Sequence, residues 1–287
     1  MLKTRVITAT ALLAGLLAAL FFLPPLAWMG FCALICALAA WEWGGLAGWG
    51  DKARIVYAAV LGCLCFFLVA FLTPPTDWFR FIFGEAGPLF FISGLFWLLI
   101  VPFWLWRKWS LCHWSAVLVG FLVLVPPTVV FIALRESFDP LTLLGVCALA
   151  WVADIAAYFS GRAFGGKKLA PNISPGKTWA GAIGAVIGVL VYCNMILFAT
   201  KSNWKIEFEI QHVLLFQPVF IGLAVWGIIG DLFESLLKRQ AGVKDSSNLL
   251  PGHGGILDRI DSLTSTFALM GFISILLFLR FILISQR

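Results

Sequence analysis

The 287-residue sequence predicts an all-α polytopic membrane bundle of about nine transmembrane helices, with the N-terminus in the cytoplasm. Three observations lead there. Hydrophobic residues make up 62% of the chain and charged residues only 12%, against about 25% charged in an ordinary soluble domain, so there are too few polar side chains to cover a water-facing shell. The apolar residues also come in long continuous runs, without the ten-residue alternation of a membrane β-barrel. Finally, Lys and Arg concentrate in alternate loops.

The runs lie near 6–22, 26–48, 54–73, 87–105, 115–134, 140–160, 178–199, 212–237 and 263–284. Each is close to the roughly 20 residues needed to cross a bilayer core. The first follows Lys3 and Arg5 as a secretory leader would, but no small-x-small cleavage site precedes Pro24-Pro25, so it is expected to remain as a span. With the N-terminus inside, fourteen of the twenty basic residues fall on the cytoplasmic side; the other six are Arg80, Arg135, Lys201, Lys205, Arg280 and Arg287. Topology therefore accounts for much of the net charge of +6 without a nucleic-acid partner. Of the seven cysteines all but Cys112 lie in apolar runs, and their spacing suggests neither a metal site nor a disulfide framework. Tryptophans near span ends are expected as interface anchors, some of them available to a homodimer contact. By composition the chain divides into N-terminal spans, residues 1–137, whose one intramembrane carboxylate is Glu42, and C-terminal spans, residues 138–287, with two longer cytoplasmic loops.

Those loops hold the chemistry. Carboxylates at membrane depth are expensive and face a bundle interior, a water-filled cavity or a metal. Six gather at the cytoplasmic ends of spans six, eight and nine: Asp154, Asp231, Glu234, Asp245, Asp258 and Asp261. On a helix Asp231, Glu234, Ser235 and Lys238 share one face, and Asp258 and Asp261 stand at i, i+3. The loop between them carries Lys238, Arg239, Lys244, Asp245, then Pro251-Gly252-His253-Gly254-Gly255, then Arg259. Glycines let backbone N–H groups approach an anion, basic side chains neutralise phosphoryl oxygens, and paired carboxylates hold a bridging divalent cation. Taken singly each has an ordinary reading: a topology anchor, a turn, helix-end charge. Their co-occurrence within 27 residues points instead to a phosphate site. A second constellation runs from Asp154 through Tyr158 and Gly161, one stripe of span six, to Ser174-Pro175-Gly176-Lys177-Thr178, where a proline turn is expected and Lys177 is expected to open span seven.

The run from Ser235 to Asp261 resembles the signature of the phosphatidate cytidylyltransferases, or CDP-diacylglycerol synthases. Ser235, Lys238, Arg239, Lys244, Asp245, Pro251, His253, Gly254, Gly255, Asp258, Arg259 and Asp261 all stand at its spacing. The Asp154–Thr178 region, the opening Met1-Leu2-Lys3-x-Arg5 and Trp41-Glu42-Trp43 are also similar to bacterial members. One departure is Ile155, where the family more often has Ser or Thr. The resemblance implies transfer of the cytidylyl group of CTP to phosphatidic acid, with Mg²⁺ and room for a second cation such as K⁺, at the cytosolic face of a bacterial inner membrane. Under it, Asp231 and Asp258 are the expected metal ligands, with Asp261, Lys244 and Asp245 beside them as catalytic residues. Lys238, Arg239 and Arg259 are expected on phosphates, His253-Gly254-Gly255 around the triphosphate, and Ser235, Asp154 and Lys177 along the substrates. The competing readings are a transporter or lipid flippase using the carboxylates as an ion path, and a CDP-alcohol phosphatidyltransferase, whose Asp-Gly-x-x-Ala-Arg run is absent.

Overall fold

The computed structural model describes residues 2–72, 86–200 and 210–285. Among these, nine helices are long and apolar enough to cross a membrane: α1 (Leu2–Phe22), α2 (Pro25–Leu46), α3 (Asp51–Leu72), α4 (Gly87–Arg107), α5 (His113–Ser137), α6 (Pro140–Phe164), α7 (Trp179–Thr200), α8 (Ile210–Gln240) and α9 (Leu257–Ser285). The chain is an integral membrane helix bundle. Every expected span has its helix; Arg80, Lys201, Lys205 and Arg287 lie outside the described residues.

Buried Trp, Phe, Leu and Val side chains from α1 through α6 and from α8 and α9 form one apolar core. Large apolar residues left exposed, such as Phe71, Ile155 and Met195, face outward from it, as lipid-facing side chains do.

Prolines inside spans leave helix carbonyls without their usual donors, and neighbouring helices supply replacements. In α4 the turn Phe96–Ile100 widens to a π-helix, and Val101 N–H reaches back to the Phe96 carbonyl. The next such bond would need an N–H from Pro102, so the Trp97 carbonyl accepts from Trp226 Nε1 of α8 at 3.0 Å instead. In α5, Pro126 frees the Leu122 carbonyl, which takes the Ser93 hydroxyl of α4 at 3.0 Å. Close approach matters as well. A Cβ on Gly184 of α7 would collide with Ser160 of α6, and one on Gly230 of α8 would collide with Ser265 of α9. Gly230 thus lets α8 and α9 touch one residue before Asp231.

Between α6 and α7 the expected proline turn is a small antiparallel hairpin, β1 (Lys168–Ala170) with β2 (Ser174–Thr178). Lys177 lies on this hairpin, not at the start of the helix. Thr178 is the residue that opens α7, its hydroxyl accepting the Gly181 N–H at 3.1 Å. The last helix begins at Leu257, ahead of the expected 263, so Asp258 and Asp261 occupy its first turns.

Three contacts gather the loops and the N-terminus on one face: the Thr8 hydroxyl on the Pro251 carbonyl (3.0 Å), Gln240 Nε2 on the carbonyls of Lys108 and Trp109 (3.1 and 2.9 Å), and Lys177 on Asp231. On the opposite face Arg135 closes the end of α1. Its guanidinium donates to the Leu20 and Leu23 carbonyls (3.1 and 2.6 Å), pairs with Glu136 (2.6 Å) and stacks on Trp28. Removing it leaves a buried carboxylate and two carbonyls unpaired. Arg135→Met is therefore expected to destabilise the protein by about 3 kcal/mol, read as a lower unfolding temperature in detergent.

Candidate active site

Two cavities open on the loop face. The first is a groove of about 360 Å³ between α6, α7 and α8. Its deep wall is apolar, with Leu149, Val189 and Leu223, and its mouth carries Asp154, Arg162, Lys177 and Asp231. Tyr158 and Gly161 line it with Asp154, as their shared helical stripe requires. The second, about 460 Å³, is polar and is formed by the α8–α9 loop and α1: Arg5, Lys244, Asp245, Asn248, His253 and Arg259 surround it with Gly254. Arg259 acts electrostatically on Asp154 of the groove, so the two cavities are neighbours.

At the groove mouth Lys177 forms an ion pair with Asp231, whose other oxygen accepts the Ser235 hydroxyl at 3.2 Å. Asp154 and Asp261 both lie within electrostatic reach of Asp231. Asp261 itself accepts the Ser262 N–H at 2.7 Å. The Asp231 side chain is 29% exposed, open enough to exchange its lysine for another cation.

Behind the loop lies a drier cluster. Lys238 is buried and donates to Glu234 Oε2 (2.8 Å) and Asp258 Oδ1 (2.5 Å). Asp258, only 5% exposed, turns its other oxygen to the loop and accepts Ser246 N–H and Oγ (2.8 and 2.9 Å) and Gly255 N–H (2.8 Å). Beside it Glu42 of α2, fully buried, accepts the hydroxyls of Ser246 and Ser247 (3.1 and 2.6 Å) and the N–H groups of Ile256 and Leu257 (2.9 and 2.7 Å). Gly254 and Gly255 acquire a structural reason here. Gly254 has φ of 80°, and a Cβ on either residue would collide with the Asp258 or Glu42 carboxylate.

The expected site residues thus divide. Asp154, Lys177 and Asp231 line the groove; Lys244, Asp245, His253, Gly254 and Arg259 line the polar pocket; Lys238, Asp258 and Gly255 form the packed cluster between loop and helices. Ser235 is tied to Asp231. Arg239 lines neither cavity and donates to the Val243 carbonyl of the following loop at 3.3 Å. Arg5, Ser246, Ser247 and Glu42 are not among the site residues the sequence predicts, although Glu42 stands out as the one carboxylate within the first five spans and Arg5 and Glu42 both lie in stretches similar to the family. Its position near the C-terminal end of α2, where a helix dipole disfavours an acid, is a further signal of a role outside that helix.

The donor set suits a hard cation. Among the described residues no three His, Cys, Asp or Glu side chains form a closed cage. Mg²⁺ at nucleotide sites needs none, because it takes one or two carboxylates and fills its shell with water and substrate phosphates.

The description "Cytidylyltransferase family" belongs to a family model that matches residues 3–278, and the chain is a member of that family. It is similar over nearly its whole length to proteins named phosphatidate cytidylyltransferase. The relative in Pseudomonas aeruginosa is 38% identical over 274 residues, covering 92% of this chain and 94% of its own. That in Haemophilus influenzae is 36% identical over 279 residues (92% and 96%), and that in Thermotoga maritima 31% identical over 265 residues (91% and 92%).

The buried cluster can be tested directly. Lys238→Met leaves Glu234 and Asp258 without their shared cation, and a loss of about 3 kcal/mol is expected. Hydrogen exchange across residues 244–258 should accelerate, and restoring wild-type exchange in Lys238→Met would show that the lysine does not hold the loop.

Proposed function

We propose that the protein transfers the cytidylyl group of CTP to phosphatidic acid, releasing pyrophosphate and leaving CDP-diacylglycerol in the bilayer. The observation that carries the reading is the presence of two cavities on one face: a polar, cationic pocket suited to a water-borne triphosphate, and an apolar groove with a charged mouth, suited to a lipid phosphate. Family membership and the names of the relatives agree with it. A transporter is not favoured, because these carboxylates crowd at one face beside a glycine-rich loop.

A phosphate oxygen of the lipid attacks the α-phosphorus of CTP in line; a new P–O bond forms, the bond to the bridging oxygen of the β-phosphate breaks, and its electron pair leaves on pyrophosphate. The lipid phosphate is already anionic near neutrality, so no general base is needed. What the chain supplies is position and charge. Lys177 and Arg162 at the groove mouth meet the lipid phosphate, while Lys244 and Arg259, with His253 and Gly254, meet the triphosphate. Asp231, open to the groove, and Asp258 are the residues that would hold Mg²⁺, with Asp261 nearby, Asp258 joining only by giving up Lys238 or a loop donor; a second cation such as K⁺ would share the same acidic surround. Mg²⁺ held there would supply neutralisation of the charge that develops on the phosphates. Lys238, should Mg²⁺ take its place on Asp258, would be available to a phosphate, and Asp245 lies beside Lys244 at the pocket rim.

The excess of basic residues supports the loop face as cytosolic, and the bacterial relatives support the inner membrane. In this reading residues 138–287 carry the chemistry on a support built by 1–137. A homodimer through lipid-facing surfaces is compatible with it.

Purified protein with radiolabelled CTP, phosphatidic acid and Mg²⁺ should give lipid-soluble label, and omitting any one, or adding EDTA, should abolish it. Label that persists without phosphatidic acid would defeat the reading. Asp231→Asn should lower turnover on the order of 10²-fold or more with unfolding temperature near wild type. Lys244→Ala should act mainly on the Michaelis constant for CTP.

A further inference from the structure

We infer that Glu42, on a helix remote in sequence from the signature, is a positioning residue for cytidylyl transfer: it clamps both ends of the 246–257 segment and so sets the shape of the polyphosphate pocket. The inference rests on the proposed reaction.

The geometry is specific. Oε1 accepts from Ser247 Oγ and Ile256 N–H, and Oε2 from Ser246 Oγ and Leu257 N–H. Each oxygen therefore joins one donor from the start of the segment to one from its end. Between those ends run Asn248, Leu250, His253 and Gly254 of the pocket wall. The carboxylate stands on a fixed base. Trp43 Nε1 donates to the Ala116 carbonyl of α5 at 3.0 Å, and Arg54 donates to the Trp41 carbonyl at 3.1 Å while stacking on its ring. All four partners are donors, the Ser246 hydroxyl sharing its one proton with Asp258, and two are backbone N–H groups that cannot rotate to accept. A carboxylate, which only accepts, satisfies them all. An amide cannot: whichever way Gln is turned, its NH₂ confronts either Ile256 N–H or Leu257 N–H. Glu42 also lies at the N-terminus of α9, where its charge complements that helix dipole while opposing its own. The groove mouth, with Lys177 and Asp231, receives no bond from Glu42, so lipid binding should be spared.

The test compares full-length wild type, Glu42→Gln, Glu42→Asp and Ser247→Ala in detergent, with Arg135→Met as a variant destabilised on the opposite face. At equal folded protein, Glu42→Gln should lower kcat/KM for CTP by at least about tenfold, leave KM for phosphatidic acid near wild type, and lose the thermal stabilisation by CTP and Mg²⁺. Glu42→Asp, still acceptor-only, should recover part of it. Ser247→Ala removes the shortest bond without touching the carboxylate and should raise KM for CTP about threefold, a readout that survives if Glu42→Gln does not fold. Wild-type constants in Glu42→Gln, or a loss no larger than in Arg135→Met, would overturn the inference. If wild type forms no CDP-diacylglycerol, the reaction is wrong instead. The CTP shift then decides on Glu42: a shift lost in Glu42→Gln supports the clamp, and equal or absent shifts in both overturn it.

Discussion

Two buried carboxylates organise the face on which the chemistry lies. Asp258 gathers three donors from the α8–α9 loop on one oxygen and Lys238 on the other, while Glu42 gathers three more from the same loop and the start of α9 and shares the Ser246 hydroxyl with Asp258. Acids withdrawn from water are tolerated only when their lone pairs are filled. Here the filling groups are the loop itself, so the solvation of the acids and the folding of the loop are the same event. The adjacent glycines follow from this arrangement, since side chains there would displace the acids.

The same economy governs the helices. Spans that cross a low-dielectric medium cannot leave backbone groups unpaired, and the bundle answers each proline with a neighbour: Trp226 for Trp97, Ser93 for Leu122. These exchanges tie α4 to α5 and to α8. They hold the helix that carries Asp231 in register with the core, and Gly230 brings it against α9, so that acids from separate spans come within reach of one another.

The spans were legible because a bilayer imposes length and apolarity on a contiguous segment, and nine runs met both demands. The shared face of Asp231, Ser235 and Lys238, and that of Asp154, Tyr158 and Gly161, followed from helical periodicity alone. The β1–β2 hairpin was not legible, because its short strands lack any apolar alternation and its single proline reads equally well as a turn. The loop glycines suggest backbone contacts with phosphate, but in the fold Gly254 packs against Asp258 and Gly255 against Ser246 and Glu42. Spacing also could not distinguish Asp231, open to the groove, from Asp258, enclosed by the loop; burial and partner identity separate them. Glu42 was visible as an anomaly, and its partners were not, since nothing local links residue 42 to residues 246–257.

That separation matters during biosynthesis. Glu42 precedes Ile256, one of its backbone donors, by 214 residues, an interval of about 10–40 s at common rates of ribosomal elongation. For that time the second span must reside at the membrane with its acid unmatched, hydrated at the surface or held by an insertion factor. The polar pocket is complete only when the ninth span arrives, so a chain interrupted earlier lacks the loop and the first turn of α9 that wall it.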